Sequence, residues 1–110
     1  MAVGKIQPST WKYLNSFNTS ASQRVTLDIS LPSDAQEIYI INTNHGISIY
    51  FPKWTSNVIS PTILVNGWSE SSNASGCMYI GITSDTTKIV SASTYINGAR
   101  AACTCKVYYR

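Results

Sequence analysis

The chain has 110 residues, enough for one domain around one core, and 44% of them are apolar while only 12% are charged. Ser and Thr make up about a quarter of the sequence, a hydroxyl-rich mixture that suits strands and turns and, with this many aromatics, excludes a disordered chain. The net charge of +3 comes from basic residues scattered singly (Lys5, Lys12, Arg24, Lys53, Lys88, Arg100, Lys106, Arg110), without the basic stripe of a nucleic-acid binder, and no run approaches the ~18 apolar residues of a membrane span.

Residues 1–10 open with Met1-Ala2-Val3-Gly4-Lys5-Ile6. They lack the apolar run of a signal peptide and read as an extended N-terminal arm. Trp11 to Phe17 is the first strand, with Trp11 and Tyr13 on one face and Asn15 next in that alternation. Arg24 to Leu31 alternates cleanly: Val25, Leu27, Ile29 and Leu31 point one way, and Arg24, Thr26, Asp28 and Ser30 the other. That is a strand with one buried and one wet face. Pro32-Ser33-Asp34 breaks it. Glu37 to Asn42 and Ile47 to Phe51 flank Thr43-Asn44-His45-Gly46, which makes a hairpin, and Pro52 ends its second strand.

Pro61 weakens the start of the next run, leaving Thr62 to Val65 as a strand. Asn66-Gly67 suits a turn at positive φ, and Ser69 to Gly76 is a polar loop. Cys77 to Thr83 and Lys88 to Ile96 are strands about a turn at Ser84 to Thr87. Asn97-Gly98 then leads into one last strand from about Arg100 to Tyr109. No segment carries a helical apolar period, and no internal repeat is present. About eight short strands with turn signals between them predict an all-β protein: a single antiparallel β-sandwich domain over 1–110, jelly-roll-like.

Chemistry-bearing clusters are scarce. Three cysteines, Cys77, Cys103 and Cys105, are too few and too odd in number for a disulfide framework. Cys103 and Cys105 would share one strand face at about 6.6 Å, a poor geometry for a bridge, so buried free thiols are the expectation. A single histidine, His45, and a lone Cys-x-Cys supply no metal site. The acidic residues Asp28, Asp34, Glu37, Glu70 and Asp85 mostly stand beside Pro, Ser or Thr in turn-like contexts rather than as a facing catalytic pair. No nucleophile elbow or phosphate-cradling glycine loop is present. These features argue against an enzyme and against any cofactor. Asn18-Thr19-Ser20 and Asn73-Ala74-Ser75 match the glycosylation sequon and, without a secretion signal, read as chance matches.

Aromatics and amides remain. Trp54, Trp68 and Tyr50 fall near loops or strand ends, close to Asn44, His45, Asn66 and Glu70. An aromatic face covers the apolar side of a sugar ring while amides and carboxylates bond its hydroxyls, so these seven residues are the candidate ligand-binding set. The competing reading places Trp54 and Trp68 in the core or at a subunit interface.

Trp11-Lys12-Tyr13-Leu14-Asn15, then Leu31-Pro32-Ser33-Asp34 running into Glu37-Ile38-Tyr39-Ile40, then Tyr95-Ile96-Asn97-Gly98-Ala99 and the closing Lys106-Val107-Tyr108-Tyr109-Arg110 resemble, in order and spacing, the C-terminal domain of tail proteins from phages and prophages of Gram-positive bacteria. The resemblance spans nearly the whole chain and is weakest from Gly46 to Gly76. It implies a distal virion module, made in the bacterial cytoplasm and often trimeric, that contacts a bacterial cell-surface polysaccharide and other tail subunits. It carries no set of site residues with it. The expected function is a tail-fibre tip or receptor-binding domain that recognises a bacterial surface glycan. The alternatives are a ligand-free structural virion module, such as a fibre cap or capsid decoration protein, and a stand-alone bacterial lectin. The homotrimer that the resemblance implies also fits the composition, since aromatic surface of this kind is usually covered by symmetric assembly.

Overall fold

The computed structural model describes residues 11–52, 62–66, 76–83 and 85–110, and over 62–66 the backbone alone. Among them there is no helix, and nine strands are present: β1 (Lys12–Asn18), β2 (Val25–Ser30), β3 (Glu37–Asn42), β4 (Ser48–Pro52), β5 (Thr62–Asn66), β6 (Gly76–Ile82), β7 (Lys88–Ile96), β8 (Ala99–Arg100) and β9 (Thr104–Tyr109). They form two antiparallel sheets. The first has the order β1-β9-β3-β4, and the second the order β2-β7-β6-β5 with β8 paired to β7. The fold is an all-β antiparallel sandwich, as the alternating sequence predicts.

Alternation explains the layering. Ile38 and Ile40 on β3, Ile49 and Phe51 on β4, and Cys105 and Val107 on β9 face inward from the first sheet. Met78, Ile80 and Ile82 on β6, Ile89 and Ala92 on β7, and Ile29 on β2 face them from the second. Together with Phe17, Leu31, Ala35 and Ile47 they make one apolar cluster. Burying each large side chain stabilises the sandwich by roughly 1.5–3 kcal/mol. The outer pairings, β1 with β9 and β2 with β7, are those of a jelly roll. Inside them the chain uses a β3–β4 hairpin and a β5–β6–β7 meander.

Two local features depart from the sequence reading. A bulge between Tyr13 and Asn15 sets two residues of β1 against one of β9. Leu14 therefore turns toward the core while Asn15 stays exposed. The expected last strand, Arg100 to Tyr109, is in fact two strands in different sheets. Ala101, Ala102 and Cys103 carry the chain across from β8 to β9. Asn97 and Gly98, at φ 51° and 85°, close the β7–β8 hairpin as their residue types require. The crossing then follows at once, fixed by Thr19 at the end of β1. The Thr19 hydroxyl donates to the Ala101 carbonyl at 2.8 Å and accepts from the Cys103 N–H at 3.1 Å. The Thr19 N–H donates to the Cys103 carbonyl at 2.8 Å.

All three cysteines are free, with Cys103 and Cys105 buried and Cys77 half-buried. Loss of solvation pushes the Cys105 thiol up to about 12, so it is an apolar core group rather than a nucleophile.

Candidate functional site

The outer face of the first sheet is set by what its inner face buries. Tyr39 stands between the buried Ile38 and Ile40, Tyr50 between Ile49 and Phe51, and Tyr108 directly after Val107, so each must point outward. Strand register then aligns them. Tyr13 pairs with Tyr108, Tyr108 with Tyr39, and Tyr39 with Tyr50. The result is one row of tyrosines crossing all four strands, about 14 Å long at ~4.8 Å per strand step. Ring centroids of Tyr13 and Tyr108 lie 5.7 Å apart, and those of Tyr108 and Tyr39 6.4 Å apart. The end residues are the most open, Tyr13 at 56% and Tyr50 at 54% exposure.

Trp11 completes the row. Its ring centroid lies 5.7 Å from that of Tyr39 and 6.3 Å from that of Tyr50, and the Arg110 guanidinium sits 4.2 Å from it. Arg110 is ion-paired to Glu37, and the Tyr50 hydroxyl donates to the same carboxylate. The Tyr50 bond, then the Arg110 bond, hold the Glu37 carboxyl below its ordinary range, while the same hydrogen bond to Glu37 pushes the Tyr50 phenol up. On the other side of the row lies a second strip in the same register, polar except for one isoleucine: Ser16, Lys106, Ile41 and Ser48. The face thus offers continuous aromatic surface flanked by hydroxyl, ammonium and guanidinium donors. That combination suits a polyhydroxylated, partly apolar chain.

Of the seven residues expected from sequence, Tyr50 belongs to this row. Trp54, Trp68 and Glu70 lie outside the described residues. Asn66 ends β5, where it pairs with Met78. Asn44 and His45 lie in the β3–β4 turn, some three residues of β4, roughly 10 Å, from Tyr50. Both are committed to that turn: their N–H groups donate to the Asn42 carboxamide oxygen, at 2.9 and 3.2 Å. The Asn44 side-chain oxygen accepts the Thr104 N–H at 2.8 Å. The structure therefore does not bring Asn44 and His45 to Tyr50.

Tyr13, Tyr39, Tyr108 and Trp11 were not in the sequence-derived set. Their outward direction was legible from the buried neighbours. Their alignment was not, because β1 and β9 meet across some ninety residues of sequence. Comparison with protein-family models, with curated proteins and with solved structures returned no match for this chain.

Proposed function

We propose that the chain is a non-catalytic receptor-binding domain of a phage tail that lays a bacterial surface polysaccharide along the tyrosine row. The observation that carries this reading is the register of Tyr13, Tyr108, Tyr39 and Tyr50 across four strands. Core formation does not require aromatics there, since the rings lie outside the sandwich and two of them are more than half exposed. An extended glycan presents alternating apolar ring faces and hydroxyls, and the row with its mostly polar strip complements both. The order of segments that resembles phage tail proteins supplies the biological setting, a virion whose distal tip meets the host wall. Single contacts of this kind are weak, and three copies at one tip raise apparent affinity by a factor of ~10² or more.

The test is binding of the labelled chain to a panel of intact Gram-positive cells and to their extracted wall polysaccharides. Saturable binding that soluble polysaccharide competes away supports the reading. Tyr13→Ala and Tyr50→Ala should each weaken it by about 3- to 10-fold, the worth of one aromatic contact, with an unchanged far-ultraviolet spectrum. Binding that survives both substitutions overturns the assignment to this face. Absence of binding from a folded trimer whose tyrosines resist iodide quenching favours the structural virion module, with the row covered by a neighbouring subunit. Glycan binding by a monomer of 12.1 kDa favours the free-standing lectin.

A further inference from the structure

The outer face of the second sheet carries a depression of different chemistry. Its lining is Arg24, Tyr79, Gly81, Ser91, Ser93, Tyr95 and Arg100, around ≈ 240 Å³ of space. The sequence builds it simply. Met78, Ile80 and Ile82 take the inner face of β6, which leaves Tyr79 and Gly81 outside. On β7 the residues opposite them are Ser93 and Ser91. The floor is therefore made of the smallest side chains in the sheet. A methyl group at Gly81 would collide with the Ser91 hydroxyl, so that hydroxyl would have to turn into the depression's space.

Two arginines stand along one side of this floor. Pairing of Val25 with Ala92 puts Arg24 beside Ser93, and pairing of Tyr95 with Arg100 puts the second guanidinium one step further along β7. Arg100 is held 5.4 Å from the centroid of the Tyr95 ring. Neither arginine forms an ion pair among the described residues. The one carboxylate on β2, Asp28, is paired to Lys88 at 3.0 Å. Tyr79 and Tyr95, edge to face at 5.4 Å, line the depression and also a second one bounded by Gly76, Cys77 and Gly98. A further sign is a buried polar group: Ser93 is only 2% exposed, and its hydroxyl has no hydrogen-bond partner among the described residues. An orphaned hydroxyl of this kind costs about 1–3 kcal/mol, a cost that a ligand oxygen removes.

We propose that this depression is a second ligand site, independent of the tyrosine row, that binds an anionic sugar. The oxyanion is taken by Arg24 and Arg100, a hydroxyl by Ser93, and the ring by the Tyr79–Tyr95 wall. The oxyanion is either a sugar carboxylate or a sugar phosphate, since paired guanidinium groups accept both. A neutral sugar leaves two like charges uncompensated and gains little.

The experiment is titration of the full chain, followed by amide NMR shifts of Ser91, Ser93 and Tyr95, with glucuronate, glucose 6-phosphate, glucose and inorganic phosphate. At least one charged sugar should bind saturably, at least tenfold more tightly than glucose or phosphate alone, and which of the two binds identifies the carboxylate or the phosphate. Arg24→Gln and Arg100→Gln, both at exposed positions, should each weaken binding about tenfold or more. Ser93→Ala should weaken it several-fold while leaving the free protein as stable as before or more so, a split that a purely structural serine would not give. Tyr13→Ala, on the opposite sheet, should leave these shifts unchanged, so failure of the tyrosine row and failure of this site are read separately. The proposal is overturned if neither charged sugar produces a saturable shift, if glucose or phosphate alone binds as well, or if both arginine substitutions are silent.

Discussion

Cys77 and Cys105 are the same residue type on adjacent sheets, and their surroundings give them opposite reactivity. Cys105 is fully buried, and its thiolate is disfavoured by lost solvation, with the pKa near 12. Cys77 lies half-open at the second depression of the β6–β7 face. A thiol reagent applied to the folded protein at neutral pH should therefore modify Cys77 first, with Cys103 and Cys105 following only on unfolding. Mass spectrometry of the labelled peptides checks the order, and early labelling of Cys105 would contradict the packing described. Glu37 and Tyr50 respond to pH in opposite senses. The Glu37 carboxyl titrates below its ordinary 4.5 in the folded state, so its contribution is present above the unfolded pKa and is lost as pH falls through the folded one. The Tyr50 phenol titrates above its ordinary 10.0, so its contribution is present below the unfolded pKa and is lost as pH rises through the folded one. The bond between them is intact from about pH 4.5 to about pH 10. Thermal denaturation should show a plateau across that range and an acid limb below it, to which Asp85, lowered chiefly by the Thr87 hydroxyl and then by that of Thr83, also contributes. Glu37→Gln should flatten the acid limb without removing it.

Elements were legible where alternation and turn chemistry agree. Glu37–Asn42 and Lys88–Ile96 are read to the residue because turn residues stand at their ends, the first alternating buried Ile38 and Ile40 with outward Glu37 and Tyr39 and the second being rich in β-branched residues. The β3–β4 and β7–β8 hairpins follow from Thr43–Gly46 and Asn97-Gly98 for the same reason. The division of the final segment into β8 and β9 was hidden, because Ala101, Ala102 and Cys103 break no strand by composition. What divides them is a contact from far away, the Thr19 hydroxyl with bonds to residues 101 and 103. Thr19 and Cys103 are each 4% exposed, so the Cys103 N–H has little water to turn to. Thr19→Val keeps the shape and deletes both bonds. It should cost about 1–3 kcal/mol in urea denaturation, and a loss below a few tenths would mean that the crossing is fixed by packing instead.

At the scale of the molecule, β9 decides whether there is a sandwich at all. It sits inside its sheet, bonded to β1 on one side and β3 on the other, and it supplies Cys105 and Val107, both at 0% exposure, to the core. Its outward residue Tyr108 is the link between Tyr13 and Tyr39. The same six residues thus close the fold and assemble the proposed binding face, and none of this is visible in their local sequence, where partners lie either some ninety or some seventy residues away. Such pairing must close long loops before it gains contacts, so refolding should be slow, in the millisecond-to-second range of all-β domains. Stopped-flow tyrosine fluorescence measures that rate directly. A chain ending at Cys103 should leave β1 and β3 with open edges and a core without Val107, and it should not fold, giving a collapsed amide NMR spectrum. Supplying a peptide of residues 104–110 in excess should restore dispersion if β9 acts by strand pairing, because the vacated slot offers it two antiparallel neighbours at once. A truncated chain that folds alone would mean that the second sheet and the β3–β4 hairpin suffice, and the tyrosine row would then be a surface added to an already stable fold.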